Sequence, residues 1–308
     1  MTFNLLQLPL IGGSRRRARW AVQTIERADP DIVVLNEAFN APARWLVTRL
    51  RATGYHATPH LGTHRGQWTS TSGRRGAASG LLGGGVYVLS RYPIMELHQH
   101  VYRAYRQRTA DAWSAKGVAL VALDTPDGRV WLAGTHLQAD TRSNWHEVRL
   151  AQLAELRGLV SARVPVAEPV LLAGDLNIEY YTADAAGRPG SPGTDHRDAQ
   201  HTVGGRLEPD GAMHHFTFDG TANPLIGSAF SQYRNVLDYV GQLGDAPRVT
   251  IRTETVGYEQ GHVASDHFPV LAAITWPTAP ANDEPARTTA WTGQPGDPER
   301  TPPAGRTH

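Results

Sequence analysis

Short runs of apolar residues, bounded by glycine, proline or polar residues, recur along most of the chain. Runs of this length that are rich in valine, isoleucine and leucine are typical of strands buried on both faces. The pattern predicts strands at residues 1–6, 31–35, 85–89, 116–124, 129–134, 169–173, 235–240, 248–253 and 268–275. Thr125-Pro126-Asp127-Gly128 has the composition of a turn, so it predicts a hairpin between two of them.

Two stretches, residues 14–28 and 143–160, space their apolar residues as an amphipathic helix does, and a further helix is predicted over residues 43–52. Ser14 stands where a helix N-cap is expected. Residues 61–85 are rich in Gly, Ser, Thr and Arg, which predicts a long functional or mobile loop. Strands interspersed with helices predict a layered α/β architecture with mixed sheets.

Composition bounds the domain organisation and the partners. At 308 residues and 40% apolar residues, the chain fits one large domain, which we place at residues 1–276. Residues 277–308 are dominated by Pro, Thr, Ala, Gly and charged residues, which predicts a disordered tail. No run approaches the roughly 18 to 20 apolar residues of a membrane span. The first strand leaves no room for a leader, so we expect that the natural start lies upstream.

Charge and cysteine content exclude some chemistry. The formal net charge of +1 provides no general attraction for nucleic acid. The chain has no cysteine, so any metal must be bound by oxygen or imidazole ligands.

Four polar segments come at the ends of predicted strands: Asn36-Glu37, residues 135–138, residues 175–177 and Asp266-His267. Cleavage of a phosphate diester needs a hard cation held by carboxylate, a base for the attacking water and donors for the phosphoryl oxygens. These segments contain all three. Each residue also has an ordinary interpretation, since Glu37 could be a surface carboxylate, His136 a core histidine and Asp238 a turn residue.

The order of these motifs resembles the endonuclease/exonuclease/phosphatase superfamily over residues 2–276. The motifs are Asn4, Asn36-Glu37, GTHLQ (residues 134–138), GDLN (residues 174–177), LDYV (residues 237–240) and SDH (residues 265–267). With SAKG (residues 114–117), GTHLQ most resembles bacterial secreted neutral sphingomyelinases C. The resemblance implies a four-layer αββα sandwich like that of deoxyribonuclease I, with two mixed β-sheets flanked by helices.

The resemblance also implies roles for individual residues. Glu37 would hold one catalytic Mg²⁺, with Asn4 helping to fix the metal or the phosphate. Asp175 would position the attacking water, and His267, oriented by Asp238, would be the general base or would stabilise the transition state. The remaining catalytic candidates are Asn177 as a donor to a phosphoryl oxygen, His136 at the phosphate or leaving group, and Asp266 of SDH. Proposals for the superfamily differ on whether the Asp or the His takes the proton.

Further candidates concern substrate binding. Lys116 is the only lysine of the chain and could contact phosphate as a compact point charge. Aromatic faces recognise quaternary ammonium groups, so a choline headgroup could be bound by Trp113, Trp145, Tyr180 or Tyr181, although core packing is the commoner role of such residues. Contact with a membrane could use Trp68, Trp113 or Tyr180-Tyr181. Ala41 and Leu82-Gly83 stand where related enzymes hold a second metal, so no edge metal is expected.

The leading hypothesis is Mg²⁺-dependent hydrolysis of sphingomyelin to ceramide and phosphocholine by a secreted, monomeric enzyme acting at a membrane surface. Ceramide phosphoethanolamine or a glycerophospholipid would use the same catalytic residues. A nuclease of the same superfamily is a second class, which the near-zero net charge does not favour. A non-catalytic binding protein is a third, against which the intact polar motifs argue.

Overall fold

The structure is a computed structural model that describes residues 1–9, 13–63, 65–74, 82–139, 145–183, 189–211, 216–244, 246 and 248–277. One compact unit, Met1–Pro277, contains all of these residues. Apart from Pro277, the predicted disordered tail lies outside the described residues, as does part of the predicted loop at residues 61–85.

Four helices occur in the described residues: α1 (Arg15–Ala28), α2 (Ala41–Arg51), α3 (His146–Arg163) and α4 (Asp195–Val203). The strands are β1 (Thr2–Gln7), β2 (Ile32–Ala38), β3 (His56–Ala57), β4 (Ser70–Gly73), β5 (Tyr87–Ser90), β6 (Ile94–Val101), β7 (Gly117–Thr125), β8 (Gly128–His136), β9 (Val170–Asp175), β10 (Tyr181–Ala183), β11 (Pro189–Pro192), β12 (Gly205–Arg206), β13 (Phe218–Asp219), β14 (Arg234–Asn235), β15 (Asp238–Leu243), β16 (Thr250–Thr255) and β17 (Val270–Thr275).

Two mixed sheets form the centre of the fold. A six-stranded sheet has the order β16-β17-β1-β2-β5-β3, and a seven-stranded sheet has the order β12-β15-β9-β8-β7-β6-β4. The predicted hairpin is confirmed, because β7 and β8 pair antiparallel with Thr125 opposite Gly128. None of the helices in the described residues combines the length and apolar character that crossing a membrane requires.

The apolar residues form three layers of core. Residues of α1 and α2, such as Ile25 and Leu46, pack on the outer face of the six-stranded sheet. Residues of α3 and α4, such as Leu156 and Ala199, cover the outer face of the seven-stranded sheet. A third cluster, which includes Val34, fills the space between the sheets. The four-layer αββα sandwich that the resemblance implied is therefore confirmed.

Glycine sets the spacing at two points below the strand ends. A Cβ on Gly134 would lie 2.7 Å from Val88 and 3.3 Å from Val34, so the absence of a side chain lets the two sheets approach there. Gly174 has φ +155°, and a Cβ on it would lie 1.9 Å from the carbonyl oxygen of Thr135. Only glycine fits the second position without displacing the neighbouring strand.

Local predictions agree with the structure at several element ends. The Ser14 side chain caps α1 by accepting a hydrogen bond from the backbone N–H of Arg17. The predicted helix over residues 43–52 begins two residues earlier, because Asn40 caps it and Pro42 lies in its first turn. Strand β6 and helix α4 were not predicted. The inner half of β6 buries His98, Gln99 and His100, so its sequence does not show an apolar run.

Two aromatic candidates are core residues. Trp68 is 5% exposed, and its indole N–H donates to the carbonyl oxygen of Thr63, so it cannot contact a membrane as expected. Trp145 is 6% exposed, which removes it from an open choline site. Burial of these two rings is the ordinary role of large aromatic side chains.

Candidate active site

Polar side chains from both sheets meet at one edge of the sandwich, which we call the site edge. Strands β1, β2, β8 and β9 end there, and β7 and β15 begin there, since His136 and Asp238 both pair with Asp175. In the other sheet, Asn4 pairs with Asn36. The sheet registers therefore bring five of the six predicted motifs to this edge.

Asn36 joins the two sheets beneath the site. This fully buried residue accepts a hydrogen bond from the backbone N–H of Asp175 at 3.0 Å and donates to the carbonyl oxygen of Thr135 at 2.8 Å. Asn4 has a comparable role, because its amide N–H donates to Asp175 Oδ2 at 2.9 Å while its Oδ1 accepts from the backbone N–H of Leu6 at 3.0 Å. Its amide is thus engaged at both ends, and Asn4 positions Asp175 from behind.

His267 lies between two buried carboxylates. Its Nδ1 is 2.7 Å from Asp238 Oδ2, and its Nε2 is 3.9 Å from Asp175 Oδ2. Burial alone would lower the pKa of His267, but Asp238 and Asp175 outweigh burial and raise the pKa well above its ordinary value. Burial and the neighbouring Asp238 raise the pKa of Asp175 to about 6. The raised pKa favours the protonated imidazole, which hydrogen-bonds to Asp238 through Nδ1 while Nε2 faces Asp175 without a hydrogen bond.

Several neighbours fix this group in place. Thr217 Oγ1 accepts hydrogen bonds from the backbone N–H groups of Leu237 and Asp238. The ring of Phe218 packs edge-on against His267 with the ring centroids 5.2 Å apart. The hydroxyl of Tyr258 donates to the carbonyl oxygen of His267. Sequence reasoning missed Thr217 and Phe218, which belong to no polar strand-end motif.

Lys116 is held by protein atoms on the other side of Asp175. Its ammonium lies 3.0 Å from Asp111 Oδ2, 2.6 Å from the carbonyl oxygen of Leu137 and 3.1 Å from His136 Nε2. An ammonium has three protons to donate, so these partners account for all of them. These contacts hold His136 in place, and contact of Lys116 with phosphate stays a prediction. Asp111, which supplies the paired charge, was not among the predicted residues.

His136 is neutral in this environment. Burial, the Lys116 ammonium and His267 together place its pKa well below the ordinary value. Because Nε2 accepts from Lys116, the proton resides on Nδ1, a buried atom with no partner among the described residues. A buried N–H without an acceptor at a strand end is a donor that a substrate atom could satisfy.

Glu37 faces the same cleft from the end of β2. The carboxylate makes no hydrogen bond or salt bridge to another described residue, and burial followed by repulsion from Asp266 raises its pKa to about 7. Its backbone is left-handed at φ 50°, as is that of Asn177 at φ 51°. Non-glycine residues in this conformation are strained, and such strain is concentrated at functional sites.

A divalent cation fits the pair of carboxylates formed by Glu37 and Asp266. Both side chains are partly exposed, and the charge of Asp266 contributes to the raised pKa of Glu37. A hard cation with oxygen ligands would relieve that repulsion. Asp175, Asp238 and His267 also have ligand-capable atoms within 4.8 Å of one another. That group fits a metal less well, because Asp238 and His267 are paired with each other and Asp175 already accepts hydrogen bonds from Asn4 and Asn177.

The other candidates lie farther from this centre. Asn177 donates its backbone N–H to Asp175 Oδ1 at 2.9 Å, so it supports that carboxylate directly. Tyr180 packs on His196 of α4, with the ring centroids 4.5 Å apart. Trp113 is 64% exposed and ends a short helical turn three residues before Lys116. The structure does not gather these two aromatic side chains into a cage.

This combination of sandwich and strand-end carboxylates defines a class. The chain belongs to the Endonuclease/Exonuclease/phosphatase family, which it matches over residues 1–268. The expected family resemblance is confirmed.

The similar proteins include bacterial sphingomyelinases C. The chain is 32% identical over 176 residues to a sphingomyelinase C of Listeria ivanovii, covering 55% of this chain and 52% of the relative. It is 33% identical over 189 residues to a sphingomyelinase C of Leptospira interrogans, covering 58% and 34% respectively. The matches therefore span about half or less of these relatives. The solved structure of sphingomyelinase C from Streptomyces griseocarneus has a TM-score of 0.71 and 28% identity, covering 88% of this chain and 97% of that one.

Proposed function

We propose that the protein is a divalent-metal-dependent phosphodiesterase, and that its reaction is the hydrolysis of sphingomyelin to ceramide and phosphocholine with Mg²⁺ as the cation. The observation that carries the chemistry is the position of His267 between Asp238 and Asp175, opposite the unpaired carboxylate of Glu37. Similarity to sphingomyelinases C supports the substrate. We further propose secretion and action as a monomer, as expected from the sequence.

Glu37 and Asp266 are the residues that would hold the cation. When bound, the cation would supply positive charge to a phosphoryl oxygen and so favour attack at phosphorus. Mg²⁺ is preferred here because the set offers only oxygen ligands and leaves room for water and a substrate oxygen. The position of Asn4, behind Asp175, favours a supporting role for it over direct ligation.

The buried group carries out the proton transfers. Asp175, whose pKa of about 6 lies near the working pH, can accept a proton from an attacking water. His267 begins as a donor, since Asp238 holds its Nδ1 proton and its Nε2 proton points toward Asp175 and the cleft. It stabilises charge on the phosphoryl group in the transition state. His136 Nδ1–H and Asn177 are additional donors on the side of the leaving group and phosphate.

The test is a product-release assay with sphingomyelin, ceramide phosphoethanolamine, phosphatidylcholine and abasic DNA as separate substrates. Wild type should release phosphocholine from sphingomyelin in the presence of Mg²⁺ and stop in EDTA. His267→Ala should be inactive, whereas His56→Ala, an exposed histidine in β3, is the matched control and should retain activity. Cleavage of DNA without lipid turnover refutes the substrate, and activity that survives both EDTA and His267→Ala refutes the mechanism.

A further inference from the structure

Large apolar side chains are exposed at two places only in the described part of the chain, and one of these places is the site edge. Five such side chains are exposed in all: Met95 59%, Trp113 64%, Val166 91%, Leu225 40% and Phe230 46%. Trp113 lies just before β7, and Leu225 and Phe230 lie just before β14 and β15. Trp113 lies at the site edge because β7 begins there. The Asn223 amide donates to the carbonyl oxygen of Ser265, and Leu225 donates its backbone N–H to Asn223, so Leu225 also lies beside the SDH motif. We call Trp113, Leu225 and Phe230 the apolar rim.

The two remaining residues lie at the opposite edge of the sandwich. Met95 is near the start of β6, where its neighbour Ile94 pairs with Leu123 at the end of β7. Val166 precedes β9, whose first residue is Val170. Exposed apolar groups at the far edge are ordinary single surface residues. They provide natural controls for the apolar rim.

The apolar rim is continuous with the catalytic histidine. Phe230 contacts Phe218 with a centroid distance of 6.5 Å, and Phe218 contacts His267 at 5.2 Å. Apolar surface therefore extends from solvent to the imidazole. A substrate whose phosphate enters the site while its hydrocarbon part remains outside would leave that part over these rings.

Basic side chains accompany the rim. Arg103, Arg106 and Arg108 are exposed in the segment that leads to Trp113, and none makes a salt bridge to another described residue. An exposed indole next to unpaired arginines is typical of surfaces at the boundary between lipid headgroups and acyl chains. Positive charge there is attracted to anionic lipid.

We propose that the apolar rim and Arg103, Arg106 and Arg108 form the surface with which this protein contacts a lipid bilayer, placing the cleft over a lipid phosphodiester. The inference rests on the proposed function. It selects Trp113 from the residues that the sequence offered for membrane contact and adds Leu225 and Phe230, which the sequence did not single out.

The experiment separates binding from turnover. Binding to vesicles of phosphatidylcholine, with and without phosphatidylserine, is measured by flotation of the full chain in EDTA, so that no lipid is consumed. The double variant Trp113→Ser/Phe230→Ser should bind about thirtyfold more weakly, because it removes two partly exposed aromatic groups from the interface. Replacing all three arginines by glutamine should reduce binding to the anionic vesicles about a hundredfold. Met95→Ser/Val166→Ser should bind as wild type does.

Turnover is then measured on detergent-dispersed sphingomyelin and on vesicles with Mg²⁺. Leu225→Ser should lose more rate on vesicles than on the dispersed lipid, and Met95→Ser/Val166→Ser should keep the wild-type rate on both. Unchanged vesicle binding in the rim double variant, or equal loss in the Met95→Ser/Val166→Ser control, overturns the inference. Failure of the proposed function would look different, since wild type would then hydrolyse neither form of the lipid while the binding results would still stand.

Discussion

The ionised carboxylate of Glu37 should destabilise the metal-free fold, and Glu37→Gln should remove that penalty. Burial and Asp266 raise the pKa of Glu37 from 4.5 to about 7. An acid whose pKa is higher in the folded state binds its proton more tightly there, so folding stability is lost as the pH rises from about 4.5 through 7. Each pKa unit corresponds to about 1.36 kcal/mol. The rise of about 2.5 pKa units therefore corresponds to a loss of roughly 3 kcal/mol above pH 7.

The assay is urea unfolding in EDTA at several pH values, comparing wild type with Glu37→Gln. The two proteins should have nearly equal unfolding free energies below pH ~4.5, where the carboxyl is protonated in both states. Above pH ~7 the variant should be more stable by roughly 3 kcal/mol. Glu254, an exposed residue on β16, provides the matched control. Glu254→Gln should not gain stability over wild type above pH ~7.

Adding Mg²⁺ should reverse the order. Wild type should gain stability in proportion to its metal affinity, whereas Glu37→Gln should gain much less because a ligand is missing. Equal unfolding free energies of wild type and Glu37→Gln in EDTA at pH ~8 would refute the electrostatic reasoning. Equal stabilisation of both proteins by Mg²⁺ would show that Glu37 does not hold the cation.

Three other substitutions test the rest of the site. Asp238→Asn should lower the pKa of His267 and reduce kcat about 10²–10⁴-fold, which the pH profile of turnover and NMR titration of the imidazole would check. Asn36→Ala should destabilise the fold by about 2–5 kcal/mol in urea unfolding, because the N–H of Asp175 and a strand carbonyl lose their buried partner. Lys116→Arg should reduce turnover at least about tenfold, since the guanidinium cannot reproduce the three contacts of a compact ammonium; unchanged turnover would refute its positioning role.

Much of the fold was predictable because its inner strands are continuous apolar runs. Strands such as β7 and β9 are buried along nearly their whole length, so local sequence and tertiary environment agree. Strand β6 was missed for the opposite reason. Its buried His98 and His100 are satisfied by Ser70, Ser72 and nearby carboxylates, and such partners are known only from the assembled sheet.

The residues of the candidate site were likewise predicted only in part. Strand-end motifs indicated Asp175, His136 and His267. The sheet register pairs His136 with Asp175, and His267 lies 3.9 Å from Asp175 just before β17. Asp111 could not be recognised from sequence. Its role is to pair with the buried ammonium of Lys116, and that contact exists only in the folded structure. The solvent exposure of a side chain also cannot be predicted from its local sequence. Trp68 and Trp113 have similar local sequence surroundings, yet one is in the core and the other projects from the surface.

Gly134, which has no side chain, sets the distance between the two sheets at the cleft, although it is not a catalytic residue. Glu37 belongs to one sheet and Asp175 to the other, and Gly134 meets Val34 and Val88 across the space between the sheets. A single methyl group at this position would act as a wedge and push the cation-holding half of the cleft away from the half that activates water. The distance between those two halves therefore depends on a residue that belongs to neither the catalytic nor the metal-binding set.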